Sequence, residues 1–264
     1  ILDLVRVNNN ISPANVNEMI RANNRMTVFF AGEIPFSELG TIFNFGEKEL
    51  PETTFNRIII DWTNYANKEV QMYFISSSNK SLLRSHVSIT NANQFAKDII
   101  EPSKLHSAYK EVERDGYTSL YVPNDTIESV KYTYYMNELS PELFKNVLFS
   151  EPNVVQRNVE SATFEKYTDG LSLMTVDTRF KSLTYVYPAA ESSESIEPSK
   201  LFKDSFEFIN EHGGFTADYR YVSSNPSKNQ LDYQLYLQGF PVYSDQATTR
   251  ITTVWGDTRI FRYK

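Results

Sequence analysis

Nucleophilic catalysis needs a base beside a serine, threonine or cysteine, so the histidines are the first residues to consider. The chain has three, His86, His106 and His212, and it has no cysteine. Two glycines follow His212, an order found in the oxyanion loops of some esterases. The Gly-x-Ser-x-Gly sequence that would carry the nucleophile does not occur in the chain. We therefore expect His212 to end a helix, where histidine favours the negative terminus and glycine adopts the left-handed conformation.

Paired carboxylates are the second candidate, because two of them can serve as acid and base in a glycosidase. Glu111 lies two residues from Glu113, and Glu191 lies three from Glu194. The first pair falls on a predicted helix and the second in a predicted linker. Charge clusters in such segments are usually solvated, so we expect neither pair to be catalytic.

Sequence signatures of metal and nucleotide sites are absent. The chain contains no His-Glu-x-x-His and no calcium-loop sequence, and without cysteine it has no thiolate ligand for zinc or iron–sulfur clusters. Lys80-Ser81 is not preceded by a glycine-rich phosphate loop, and only 9 of the 264 residues are glycine. We predict no catalytic, cofactor-binding or metal-binding residue, and no cofactor.

The sequence Asp-Thr-Arg occurs at 177–179 and again at 257–259, which could indicate twin ligand sites. Residues two apart on a strand share a face, so a weak surface ion pair at a strand end is the simpler interpretation. Tyrosine-rich strands could form a sugar-binding or protein-binding platform, or could simply pack the sheet and cover its outer face. These tyrosines are Tyr132, Tyr134, Tyr135, Tyr219, Tyr221, Tyr233, Tyr236 and Tyr243.

The elements that would position these residues alternate along the chain. Helices are predicted at 12–23, 91–100, 101–113, 140–149 and 198–211, and a short amphipathic helix from Pro35. Strands are predicted at 25–31, 57–61, 70–76, 118–122 and 130–139, followed by three between 162 and 188 and three more between 215 and 264. The stretch AAESSESIEPS (189–199) reads as a linker, because it is serine-rich and acidic and has no periodicity.

Internal similarities suggest a duplication. The hexapeptide IEPSKL occurs at 100–105 and 196–201, and we interpret both copies as helix starts. LFKN (143–146) and LFKD (201–204) each precede strands that lead to an Asp-Thr-Arg sequence, with an extra hairpin expected in the later copy. We predict an α+β, multi-domain fold: part of an N-terminal α/β domain (1–89), then two related helix-plus-antiparallel-sheet domains, the middle one (90–190) and the start of a C-terminal one (191–264).

The composition of the chain indicates which kinds of partner it is suited to bind. The formal net charge is −7 and no dense Lys/Arg run occurs, which argues against a nucleic-acid groove. The absence of cysteine is compatible with the outside of a Gram-positive cell and equally with a cytoplasm. No apolar run reaches the roughly 18–20 residues that span a bilayer.

Several stretches together resemble one family, YycH (also called WalH). They are NNRMTVFFAGEIPFSELGTIFNF, FNRIIIDW, TSLYVPNDTIESVKYTYYMNELSPELFKNVLF and LDYQLYLQGFPVYS, and the most specific part is Tyr121–Phe149. The resemblance implies a single-pass anchored protein on the extracytoplasmic face of the membrane, whose N-terminal transmembrane helix is absent from this chain. It also implies a non-enzymatic regulator that acts with a companion, YycI, on the sensor histidine kinase WalK (YycG) in the control of the cell wall.

Two other functions stay open at the level of the residues. One is a wall-directed hydrolase with carboxylates in a cleft between domains, which predicts two acidic groups at a catalytic separation. The other is a module that binds a carbohydrate or peptide of the wall on its tyrosine-rich sheets, which predicts a contiguous exposed aromatic patch.

Overall fold

The computed structural model describes residues 3–8, 12–41, 49–106, 109–115, 118–126 and 139–264. The chain forms two compact units, Ile1–Thr133 and Tyr134–Lys264. The three-domain division at residues 90 and 191 stays a prediction, and so does everything predicted for 127–138, which lie outside the described residues. Tyr132, Tyr134 and Tyr135 are among these.

A five-stranded sheet forms the centre of the first unit. The strands, in chain order, are β1 (Asp3–Asn8), β2 (Arg25–Pro35), β3 (Thr54–Asp61), β4 (Glu69–Ser76) and β5 (Ser81–Ser88), and their order in the sheet is β1-β5-β4-β3-β2. Helix α1 (Pro13–Arg21) carries the chain from β1 at one edge to β2 at the other. Ser12 caps this helix by accepting a hydrogen bond from Asn15 N, and Pro13 occupies the first turn, where its missing N–H costs nothing.

The α/β pattern expected for residues 1–89 is corrected by the strand pairing. The pairs β1–β5, β5–β4, β4–β3 and β3–β2 are all antiparallel. Alternation of helix and strand along the chain suggested parallel strands, but hairpin connections such as the turn between β4 and β5 reverse the direction of the chain. The unit therefore belongs to the α+β class predicted for the chain as a whole.

Apolar side chains cover both faces of this sheet around its interior strands β3 and β4. On one face Val16 of α1 packs against Ile59, Ile75 and Leu82. A second cluster lies around the 3₁₀ helix Phe36–Thr41. The centroids of its aromatic rings are 4.9–5.5 Å apart, and the rings are tilted or edge-to-face, the geometry that such pairs prefer. It contains Phe36, Leu39, Phe55, Ile58, Phe74 and Leu83. The prediction that residues 57–61 form a strand buried on both faces is confirmed by their burial.

The remainder of the first unit differs from the sequence prediction at one point. A helical segment runs through α2 (Ala92–Phe95), a π-helical turn (Ala96–Ile100) and α3 (Glu101–Ser103). The helix predicted for 101–113 ends there, and β6 (Tyr109–Asp115) pairs antiparallel with β7 (Thr118–Pro123) instead. Pairing with β7 overrides the helical propensity of 109–113. The first IEPSKL copy therefore ends a helical segment and does not begin one.

The second unit is one antiparallel sheet with two helices on one face. Its strands are β8 (Gln156–Ser161), β9 (Phe164–Thr168), β10 (Leu173–Asp177), β11 (Ser182–Val186), β12 (Tyr219–Asn225), β13 (Gln230–Leu237), β14 (Phe240–Pro241), β15 (Arg250–Trp255) and β16 (Ile260–Tyr263). Helix α4 (Pro141–Leu148) precedes β8, and α5 (Pro198–Glu211) precedes β12. Residues of α4, α5 and the sheet share one core cluster, among them Leu148, Leu201, Ile209, Met174 and Trp255.

The strand order makes the two halves of this sheet topologically alike. It runs β12-β13-β15-β16-β11-β10-β9-β8, so each helix is followed by a four-strand meander and the two meanders meet through their last strands. At the seam, Tyr185 of β11 pairs with Tyr263 of β16 in antiparallel register. The two Asp-Thr-Arg sequences lie in corresponding turns, after β10 and after β15. The short β14, which pairs with β13, is the additional hairpin of the later half.

The predicted linker is irregular but fixed to the sheet. The Asn229 side chain accepts a hydrogen bond from Ile196 N at 2.8 Å and donates one to the Glu194 carbonyl at 2.6 Å. Gly256 approaches the same segment so closely that an added Cβ would lie 1.7 Å from the Ala190 carbonyl oxygen. Residues 189–199 are therefore a packed connection between the two halves of one sheet.

Candidate interaction surfaces

The three histidines lie on separate elements of the chain. His86 is an exposed residue of β5, and His106 is exposed beyond α3. His212 follows α5, where its Nδ1 is hydrogen-bonded to the Phe208 carbonyl at 2.7 Å and its ring stacks on the Phe208 ring at 4.1 Å. Gly214, at φ 72°, donates its N–H to the Ile209 carbonyl at 2.8 Å. The predicted helix end is confirmed.

Only one of the two carboxylate pairs lies where the sequence predicted it. Glu111 and Glu113 lie on strand β6, opposite Tyr121 and Ser119 of β7, so their assignment to a helix is wrong for the reason given above. Glu191 and Glu194 are exposed in the connection between the two halves of the sheet, as expected. Among the described residues, no group of three His, Cys, Asp or Glu side chains could hold a metal ion.

Lys80 ends the turn between β4 and β5, and Ser81 is the first residue of β5. A polar cluster that no sequence motif indicated lies beside this turn. The Glu33 carboxylate accepts hydrogen bonds from Thr54 Oγ1 at 2.9 Å, Ser76 Oγ at 3.0 Å and Ser78 N at 2.9 Å. The donors lie on β3, at the end of β4 and in the turn that follows, so the cluster joins β2 to all three. Its role is structural.

The two Asp-Thr-Arg sequences differ in their contacts. Asp177 Oδ1 accepts a hydrogen bond from Arg179 N, and Arg179 Nη2 lies 3.9 Å from Asp177 Oδ2, which is the predicted surface pair. The Arg179 guanidinium lies over the Phe180 ring at 4.3 Å. In the second copy, Asp257 accepts a hydrogen bond from Ser192 at 2.8 Å. Arg259 lies over the Tyr187 ring at 5.0 Å. The copies share a place in the fold and do not form equivalent ligand sites.

Most of the described tyrosines pack the sheet. Tyr233 is buried, and Tyr219 and Tyr221 are half-buried against the core of the second unit. Tyr236 lies under the Arg220 guanidinium at 4.6 Å. Tyr243 alone among these five is strongly exposed, at 74%. These five side chains therefore do not form the contiguous exposed platform that a sugar-binding sheet would need.

A charged pair holds the outer strand of the sheet. Arg157 of β8 donates two hydrogen bonds to the Glu165 carboxylate of β9, at 3.0 and 2.6 Å, and the Tyr167 hydroxyl donates a third at 2.7 Å. The hydrogen bonds from Arg157 and Tyr167 lower the pKa of the Glu165 carboxyl. Burial and the bond to Glu165 raise the pKa of the Tyr167 hydroxyl to about 12. All three groups are satisfied, so they stabilise the edge strand.

Among the described residues of the second unit, three exposed aromatic side chains besides Phe206 of α5 lie on segments at one end of its sheet. They are Phe180, exposed by 41%, Phe240, by 71%, and Tyr243, by 74%. We call the loops that carry them, 178–181 and 238–249, the aromatic end. Phe240 and Tyr243 fall in the GFPVYS stretch already quoted, where aromatic residues directly follow a turn glycine. That position was the available signal in the sequence, although the alternation of the preceding residues indicates only a strand.

No helix among the described residues has the length and apolar character needed to cross a membrane.

Comparisons with known proteins agree on one family. The model of the YycH protein, C-terminal domain, matches residues 117–264, and the model of the YycH protein, N-terminal domain, matches residues 2–103. The chain is 23% identical over 246 residues to the Two-component system WalR/WalK regulatory protein YycH of Bacillus subtilis (strain 168). That match covers 91% of this chain and 53% of the relative, so the chain spans about half the length of its curated relative.

The fold agrees as well. The crystal structure of YycH from Bacillus subtilis matches with a TM-score of 0.81 at 20% identity, covering 99% of this chain and 69% of that one. The two family models together span nearly the whole chain, and the α+β architecture of the resemblance is observed. The chain belongs to the YycH family.

Proposed function

We propose that this protein is a non-catalytic regulator that modulates the sensor histidine kinase of a WalR/WalK-type two-component system and through it the metabolism of the cell wall. The observation that carries the proposal is the similarity to a relative named as a WalR/WalK regulatory protein, which extends over 91% of this chain. A regulator acts by contacting its target, so it needs surfaces and no catalytic constellation.

The geometry of the described residues supports this proposal. Carboxylates with the strongest local interactions, Glu33, Asp61 and Glu165, have several hydrogen-bond donors each and serve the packing of strands. Catalytic carboxylates instead lie in a concave pocket, within hydrogen-bond reach of the atom to which they transfer a proton.

The location and the partners are parts of the same proposal. The protein acts on the extracytoplasmic face of the cell membrane, anchored by a helix of its parent protein, and contacts both WalK (YycG) and the companion YycI. These points come from the family resemblance.

The experiment is reconstitution of the membrane-anchored full-length protein with the kinase in proteoliposomes. Autophosphorylation is followed with and without the regulator, with and without YycI. We expect the initial rate to change when the regulator is added at equimolar amount, and the kinase to co-purify with it. A kinase that lacks its extracytoplasmic part is the matched control and should not respond. An unchanged rate together with no co-purification would refute the proposal.

A further inference from the structure

The loops of the second unit lie at the two ends of its antiparallel sheet. The turn 178–181, the turn 162–163 and the connection 238–249 lie at the aromatic end, because β10 and β13 run toward it and β11 and β15 run away from it. Hydrogen bonds join them: Thr178 N donates to Thr163 O, and Thr248 N donates to Phe180 O, both at 2.9 Å. The three segments therefore form one surface.

The hairpin at this end is preorganised. Gln238, at φ 52°, and Gly239, at φ 82°, form a two-residue turn between the paired Leu237 and Phe240. Two consecutive residues of positive φ suit the twist of a tight hairpin. The last β13–β15 residue pair is at Gln234, so Tyr236 and Leu237 pair with β14 beyond the point where β15 begins. Phe240 therefore lies on a short hairpin that extends beyond the end of β15.

The buried side chain of Gln234 holds the rest of the connection in place. Its Nε2 donates hydrogen bonds to the carbonyl of Val242 and, at 2.9 Å, to the carbonyl of Thr249. Ala247 is buried as well. Tyr243 is therefore exposed on an ordered segment, and contact of its ring with a partner would cost little conformational entropy.

Charge is distributed unequally between the two ends. At the aromatic end the cations are Arg179, Lys181 and Arg250, which begins β15. The carboxylates there are Asp245 and Asp177, which ends β10 and lies 3.9 Å from Arg179, so the cations exceed the carboxylates by one among these residues. The loops at the opposite end are acidic, although they also contain Lys228 and Arg259: their carboxylates are Glu151, Asp169, Glu191, Glu194, Glu197 and Asp257. The chain has a formal net charge of −7, so an anionic surface would repel it in most orientations. Approach with the aromatic end toward that surface would be favoured.

We propose that the aromatic end docks on a lipid bilayer with anionic headgroups. Its aromatic residues lie on two neighbouring segments, Phe180 on one and Phe240 and Tyr243 on the other, and a lipid interface can adapt to all three side chains. Aromatic rings favour the headgroup level of a bilayer, and adjacent cations add attraction to anionic lipids. A protein partner is less well matched, because binding hot spots cluster in one packed centre. The contact does not require the kinase, so it stands apart from the proposed function.

The test is co-sedimentation of the whole 264-residue chain with vesicles. We expect binding to vesicles of phosphatidylglycerol and phosphatidylcholine, weakened by added salt, and little binding to phosphatidylcholine alone. Phe240→Ala with Tyr243→Ala should reduce the partition coefficient by at least about tenfold, because the attraction scales with the apolar area inserted. Arg179→Gln and Lys181→Gln should each reduce it by about fivefold, at roughly 1 kcal/mol per cation.

Leu171→Ala is the matched control. Leu171 is 69% exposed and lies in the turn between β9 and β10 at the opposite end of the same sheet, so its loss should leave vesicle binding unchanged. All variants should keep the wild-type circular dichroism spectrum and melting temperature. Absence of binding to anionic vesicles would overturn the proposal, and so would equal loss in the Leu171 variant. A double aromatic variant that binds vesicles normally but no longer binds the purified extracytoplasmic part of WalK would assign the surface to a protein instead.

Discussion

The indole Nε1 of Trp255 donates a hydrogen bond of 2.9 Å to the hydroxyl of Ser205 in the core of the second unit. Thr253 Oγ1 donates to the same hydroxyl oxygen, also at 2.9 Å. Ser205 and Thr253 are fully buried, and Trp255 nearly so. Helix α5 is thereby fixed to strand β15 by a polar contact inside an apolar core, which specifies its position along the strand more narrowly than apolar packing does.

Replacing Ser205 with alanine should destabilise the second unit by about 1–3 kcal/mol, because the buried indole N–H loses its acceptor. The measurement is the free energy of unfolding in urea, followed by tryptophan fluorescence. Ser227→Ala is the control, since Ser227 is exposed and hydrogen-bonds only within its turn, to Asn225. A Ser205 variant as stable as the control would show that the hydroxyl contributes nothing.

Gly256→Ala should lower stability by about 1–3 kcal/mol, the usual range when atoms are forced into a packed site. The new Cβ would overlap the Ala190 carbonyl oxygen, so the connection 189–199 or the β15–β16 turn must move. Gly40→Ala provides a comparison, because among the described residues its added Cβ would meet Leu50 Cδ1 at 3.7 Å, an ordinary contact. Thermal unfolding of both variants measures the difference. Equal melting temperatures would contradict the close approach.

Asn229 has two roles that two substitutions can separate. Its backbone is left-handed, at φ 49°, and its side chain holds the connection at Ile196 and Glu194. Asn229→Gly keeps the backbone conformation and loses the side-chain bonds, whereas Asn229→Ala loses both. We expect both variants to be less stable, and the alanine variant to be worse by about 1 kcal/mol. Denaturation in urea tests the order, and a glycine variant of wild-type stability would mean that the two hydrogen bonds contribute little.

Asp61 should contribute to stability in a pH-dependent way. Burial pushes the pKa of the Asp61 carboxyl up, but hydrogen bonds from Thr63 and the charge and hydrogen bond of Arg25 outweigh it and hold the pKa below 3.8. Because the folded pKa is depressed, the contribution is complete above the unfolded pKa and is lost as the pH falls through the folded one.

Asp61→Asn should therefore destabilise the first unit by about 1 kcal/mol at pH 7, a value reduced for partial solvent screening. Urea denaturation at pH 7 and at pH values below about 4 should show the difference between variant and wild type shrinking in acid. Asp98→Asn, on the exposed surface of the helical segment 92–103, is the control. A difference that stays constant with pH would contradict the role given to the charge.

Local sequence signals predicted the elements they belong to. Pro13 and Pro198 begin helices at the first turn, and His212-Gly213-Gly214 ends one. In each case the residues that decide the conformation are within one turn of it, so distant contacts need not be known. The absence of a nucleophile elbow and of cysteine was likewise readable directly from the sequence.

Predictions that depended on distant partners were less accurate. The segment 109–113 has helical character, but its backbone pairs with Thr118–Pro123. Strands β1, β5 and β8 were not predicted. β1 and β8 are edge strands and β5 lies between β1 and β4, so the pairing of each is decided by its neighbours in the sheet. The α/β pattern predicted for residues 1–89 was wrong for the same reason.

The amino-acid sequence by itself determined the α+β class, the helix ends, the family and the lack of a recognisable catalytic motif, because these follow from residue types and short spacings. Only the tertiary structure decided that residues 189–199 are anchored, through Asn229, some thirty positions away. It also brought Phe180, Phe240 and Tyr243 to one end of the sheet and the acidic loops to the other. The direction of each strand in a sheet is set by all its neighbours together, so no local stretch of sequence contains that information.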